Sequence, residues 1–136
     1  MSFGKLLALY GICAVVFFAL DFAWLSFANG AVYKPNLGSL LLDQPKLGVA
    51  GAFYLVYVAG LIALAVVPSL QSGSVGGALW RGAVLGLLAY ATYDLTNLAT
   101  LKGWTWQVSA IDLAWGTAVN AAVAAVGFYA AHWLGI

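Results

Sequence analysis

The chain has 136 residues, 65% of them hydrophobic and 7% charged, with a formal net charge of +1. Soluble domains carry roughly 25% charged residues, so five basic and four acidic side chains cannot clothe an aqueous surface, and an integral membrane protein of one compact domain, residues 1–136, is expected. A balance this close to neutral, without clustered Lys and Arg, also excludes a nucleic-acid partner.

The first apolar run covers residues 6–27 and is interrupted by Asp21. Its leading lysine and trailing small residues resemble a signal peptide, but an Asp and a Trp at the end of the apolar core are poor signal features. Residues 47–67 form a second run with no charge, followed by runs over 78–101 and 107–134. Each reaches the ~20 residues needed to cross ~30 Å of hydrocarbon. Spanning strands are half that length and alternate in polarity, so the runs are read as helices. The expected fold is all-α: a polytopic, four-transmembrane-helix up-down bundle with helices over about 5–28, 45–68, 77–102 and 106–134. Asp43, Gln44 and Pro45 read as the capped start of helix two, Pro68 and the Ser-Gly-rich run 71–77 as its close. The longest connection, residues 29–46, has enough leucine for a short interfacial segment between helices one and two. It reads either as a surface anchor or as a lid, with Tyr33, Lys34, Asn36, Asp43 and Lys46 as its polar members. Trp80, Trp104, Trp106 and Trp133 fall near helix ends, as interfacial anchors do.

An even number of antiparallel helices puts both termini on one side, face A, and the 29–46 connection on face B. Asp21, Asp94 and Asp112 lie inside the apolar runs, and at 1.5 Å per residue each sits about 8–10 Å inside face B. Intramembrane carboxylates are rare, and they face a bundle interior or a wet cavity. Three of them at one depth mark a candidate site, with Asp21, Asp94 and Asp112 as candidate catalytic groups. Trp24 and Trp115 lie three residues after Asp21 and Asp112, on the same helical faces. Tyr90, Tyr93 and Asn97 accompany Asp94 on helix three. With Lys102 at face B these are the candidate ligand-binding residues. Tyr54 and Tyr57 add hydroxyls from helix two. Close carboxylates in low dielectric repel by several kcal/mol, so some stay protonated or the face-B lysines Lys34, Lys46 and Lys102 reach down to them. A Mg²⁺ site is the weaker reading, because no helix carries a close Asp-rich motif.

Other features are read structurally. Cys13 is a packing residue, Asn120 an interhelical hydrogen bond, and His132 an interfacial histidine. Gly82 and Gly86 have the small-residue spacing of close helix packing, inside the chain or at a dimer contact. One His and one Met leave no material for haem, copper or zinc, and no mid-span lysine offers a Schiff base. No metal and no cofactor are therefore expected.

The strings Asp21-Phe22-Ala23-Trp24-Leu25, Tyr93-Asp94-Leu95-Thr96-Asn97-Leu98-Ala99-Thr100-Leu101-Lys102-Gly103-Trp104 and Asp112-Leu113-Ala114-Trp115-Gly116 resemble a family of small bacterial predicted membrane proteins. That family is classed as a domain of unknown function. The resemblance covers nearly the whole chain and implies a multi-pass protein of the bacterial inner (cytoplasmic) membrane, with no activity, substrate or cofactor attached.

Three functions fit the residues. The first is a site that binds or transforms a lipid- or isoprenoid-like molecule at face B, the Asp groups serving as acid/base and Lys102 neutralising an anionic head group. The second is a proton-coupled small transporter, which would need a dimer and polar groups such as Tyr10, Thr117 and Asn120 toward face A. The third is an accessory subunit of a larger membrane complex. The expected partners are the bilayer, a lipid-like ligand, and a second copy or larger complex. Whether the chain is an enzyme is left open by its sequence, and lysines on both faces set no orientation.

Overall fold

The structure is a computed structural model describing residues 2–136. Four helices long and apolar enough to cross a membrane run over Phe3–Leu40, Leu47–Ser72, Val75–Thr100 and Trp106–Trp133, and no strand occurs among the described residues. In lipid each backbone N–H and C=O must find a partner within its own segment, which a continuous helix provides. The ends show how water takes over. Ser2 Oγ accepts the Lys5 N–H at 3.2 Å and Thr105 Oγ1 accepts that of Val108 at 3.3 Å, so hydroxyls cap helices one and four. Gly73 takes the left-handed conformation (φ +70°) that closes helix two, and its N–H bonds the Ser69 carbonyl at 2.9 Å.

Two prolines sit where sequence rules place a break, yet both helices run through them. A wide π turn over Ile62–Val66 precedes Pro68, and another over Asn29–Tyr33 precedes Pro35. Each closes with an i+5 bond, from the Val67 N–H to Ile62 O and from the Lys34 N–H to Asn29 O. A proline inside an α ladder lacks the N–H and clashes with the carbonyl four residues back. The wider turn carries the chain past both problems. Helix two therefore continues beyond Pro68 to Ser72, rather than closing there, and Ser69 Oγ donates to Val66 O at 2.6 Å within it. It also starts without the expected cap: its first residue is Leu47, no side chain caps it, and Asp43 is exposed. The connection from helix one is helical as far as Leu40, and Leu40, Leu41 and Leu42 are exposed along it.

Helix three packs along helix four, and helix one also packs on helix four. The helix three–four contact is close because Gly82 and Gly86 face it: a methyl group on Gly86 would overlap Gly116 O and the Asn120 side chain. The small-residue pair is thus used within the chain. Helix two divides at its π turn. The later part, from Ile62 onward, packs against helices three and four, whereas Leu47–Leu61 packs on helix one. The core nearest face A is apolar, with Leu9, Cys13, Phe17, Val66, Val123 and Phe128 among its members. Lys5 Nζ donates to Gly135 O at 3.4 Å, tying the two ends of the chain together. At the other face Thr105 Oγ1 and Asn36 Oδ1 meet at 3.3 Å, so the helix-one extension is anchored to the turn between helices three and four.

Many large apolar side chains point outward, Phe22, Leu47 and Trp133 among the most exposed. In water this surface would drive aggregation; in lipid it is the solvent-matched exterior. Trp80 and Trp133 lie toward face A and Trp106 toward face B, and Arg81 stacks over Trp80 at 4.6 Å.

Candidate functional site

Between the face-B halves of the helices lies a cavity of about 470 Å³. Its wall includes Asp21, Trp24, Tyr33, Tyr54, Tyr57, Tyr90, Tyr93, Trp104, Asp112 and Trp115, with Phe17, Phe53, Leu37 and Leu41 among its apolar members. Two acids and a ring of aromatic groups thus face one space. The cavity exists because the first part of helix two leans on helix one and leaves a gap toward helix three. Phe53 and Tyr93, from the two sides of that gap, both line the cavity and are both exposed. The cavity is therefore open laterally at this gap, at the depth of the helices, and exposed Leu41 of the 29–46 connection also lies on its wall.

The acids are held by neutral donors. Tyr54 donates to Asp21 Oδ2 at 2.7 Å and Trp115 Nε1 to Asp21 Oδ1 at 3.3 Å. Tyr33 donates to Asp112 Oδ1 and accepts from Trp24 Nε1 at 3.0 Å. The two Asp-x-x-Trp segments therefore exchange partners. The helix-four indole serves the helix-one acid, while the helix-one indole reaches the helix-four acid through Tyr33. The indoles of Trp24 and Trp115 stack between them, centroids 4.8 Å apart and planes 9° from parallel.

Asp94 is different. It is fully buried, and neither carboxyl oxygen has a hydrogen-bond partner. Its carboxyl lies against that of Asp112; Asp94 itself does not reach the cavity wall. A proton held between the two carboxyls is the bond this contact offers, since two ionised ones would repel strongly in an apolar interior. The Asp94 carbonyl accepts from Ser109 Oγ at 2.9 Å, and Ser109 in turn accepts from Trp104 Nε1 at 3.0 Å, which fixes helix three against helix four at this level.

Of the residues singled out from sequence, Asp21, Asp112, Trp24, Tyr90, Tyr93 and Trp115 line the cavity. Asp94 stands behind Asp112, Asn97 is half-buried off the wall, and Lys102 is exposed outside it. Lys34 and Lys46 are not among the wall residues either, so the face-B lysines do not reach the acids, and phenols and indoles hold them instead. Sequence reasoning missed the direct contacts of Tyr33 and Tyr54. Tyr54 had a signal, lying at the right depth on helix two; Tyr33 had one in the lid reading of the 29–46 connection, but not its partner, because Tyr33 is the last residue of the π turn Asn29–Tyr33. Among the described residues no group of three or more His, Cys, Asp or Glu side chains comes together to hold a metal ion.

The chain belongs to the family of predicted membrane proteins DUF2177, whose sequence pattern matches residues 6–129. No curated protein and no solved structure matches it. The family attaches no chemistry to the cavity, so its function is argued from its geometry.

Proposed function

We propose that the cavity binds an amphiphile taken from the bilayer, a lipid- or isoprenoid-like molecule whose polar end meets Asp21 and Asp112. One observation carries this reading: an aromatic-walled space of about 470 Å³, open laterally at the depth of the helices, has two carboxylates as its charged wall groups. Ligand pockets of ~300–1,000 Å³ with apolar walls and a few convergent polar groups are the usual form of small-molecule sites. If the ligand is also transformed, Asp112 is the group to do it, since it faces the cavity and adjoins Asp94, which can share its proton.

The transporter reading fares worse. The groups that would extend a polar path toward face A are engaged: Tyr10 with Leu55 O at 2.6 Å, Thr117 with Leu113 O at 2.7 Å, and Asn120 with Tyr57 at 2.8 Å. The accessory-subunit reading draws on one specific fact, that both oxygens of Asp21 are taken by Tyr54 and Trp115. An acid used wholly as helix glue is a poor return, because interhelical hydrogen bonds in membranes average ~0.6 kcal/mol.

The test is native mass spectrometry of the protein extracted in a mild detergent, comparing wild type with Asp112→Asn. A bound species of lipid-like mass in the wild type, reduced in the variant, supports the site. A bare spectrum for both, with the chain held in a larger complex, supports the subunit reading instead.

A further inference from the structure

We propose that the amphiphile this cavity takes is a hydrophobic cation: an ammonium group on an apolar chain or ring. The inference rests on the binding-site reading above and narrows it to one charge class.

The first ground is charge. The wall carries Asp21 and Asp112 and no Lys, Arg or His. The donors on these acids, Tyr54, Trp115 and Tyr33, are neutral, so they fix direction without cancelling charge. An anionic head group would set like charge against like in a low dielectric. A neutral one would leave the carboxylates without a counter-ion, and buried charges in membranes pair. An ammonium group supplies what the wall lacks.

The second ground is hydrogen-bonding capacity. An ionised carboxylate offers about four acceptor positions. Asp21 has two filled by Tyr54 and Trp115, and Asp112 has two in use, one by Tyr33 and one by the proton it shares with Asp94. Both therefore retain lone pairs for an N–H donor.

The third ground is the aromatic wall. Indole and phenol faces attract cations through the ring quadrupole, more strongly once water is excluded, and cages of aromatic rings are a common way to hold ammonium groups. Tyr54, Tyr57, Tyr90 and Tyr93 surround the same space as the stacked indoles. A second pocket, sharing Leu41 with the first, does carry Lys34 and Lys46, beside Asp43. It is where an anionic head group would go, and it lies outside the acid-bearing wall.

The test uses three amphiphiles of one chain length, decylammonium, decanol and decyl sulfate, titrated into the protein in a non-ionic maltoside. Intrinsic fluorescence reports binding, because Trp24, Trp104 and Trp115 line the cavity. The cation is expected to bind at least tenfold more tightly than the alcohol and the sulfate most weakly. In the double variant Asp21→Asn with Asp112→Asn, the cation should fall to the level of the alcohol. The ranking on wild type stands whether or not that variant folds. If the alcohol or the sulfate matches or exceeds the cation, the charge class is overturned and the cavity survives as an amphiphile site. If none of the three gives a saturable response, the binding-site reading falls with it.

Discussion

Tyr54 and Tyr10 make chemically similar hydrogen bonds with different consequences, which separates their energetics. Tyr54 donates to a carboxylate that is 6% exposed; Tyr10 donates to the Leu55 carbonyl in exposed surroundings. Bonds to charged groups are worth ~1.5–3 kcal/mol, while ordinary ones net about 1 kcal/mol or less. Tyr54→Phe should accordingly lower stability by about 1.5–3 kcal/mol and Tyr10→Phe by less than about 1 kcal/mol, read from reversible unfolding in mixed micelles. Equal losses would mean that Asp21 is neutral or better solvated than its burial implies. Asp94 gives the opposite expectation. An Asn there can donate its amide hydrogen to Asp112, as a protonated acid would, so Asp94→Asn should stay within about 1 kcal/mol of wild type. A loss of several kcal/mol would show that the buried carboxyl is charged and held by some other group. At this scale the sequence was informative about depth, because rise per residue is constant and brings Asp21 and Asp112 to one level. It was silent on partners. Nothing in Asp21-Phe22-Ala23-Trp24 says that its indole serves the other helix's acid, since that depends on how helices one and four are rotated about their axes.

The four helices were legible because a bilayer demands long, self-satisfied apolar segments, and few sequences meet that by accident. Their internal irregularities were not. Pro68 reads as a break by rules that assume an α ladder, whereas a π turn before it, and another before Pro35, lets the chain pass. Tyr33 closes the turn Asn29–Tyr33 and lines the cavity from a segment that read either as a surface anchor or as a lid. Helix two offered a further obstacle: an apolar run without charge has no stripe to show which face turns inward. The contact between helices three and four is where element geometry has a sharp energetic consequence. Gly86→Leu would drive a side chain into Gly116 O and Asn120, and overpacking of this kind costs about 1–3 kcal/mol or more. Gly51 on helix two has open space where its Cβ would sit, so Gly51→Ala should be neutral or gain up to ~1 kcal/mol from helix propensity. Unfolding titrations of both variants check the contrast; equal effects would mean that helices three and four are not packed through these glycines.

At the scale of the whole molecule, one asymmetry organises the rest. Helices one, three and four pack together, helix two joins them fully only after Ile62, and its first part is tied back by Tyr54 to Asp21 and by Tyr57 to Asn120. Those two phenols cross the space that packing leaves open, which makes the cavity a gap held between a tight half near face A and a splayed half near face B. Ala50 on helix two and Ala89 on helix three both line it, and both are small enough to leave room. Ala89→Phe should fill the space without touching either acid or its donors, whereas Leu88→Phe, at a side chain 60% exposed toward lipid, should not. If an amphiphile enters through the gap, Ala89→Phe removes the co-purifying species seen by native mass spectrometry while Leu88→Phe retains it, with both variants folded. Retention in Ala89→Phe would place the bound molecule on the outer surface and leave the interior acids with a purely structural part. The comparison is decisive because it changes volume alone: charge, hydrogen bonds and the lipid-facing surface around Asp21 and Asp112 stay as they are.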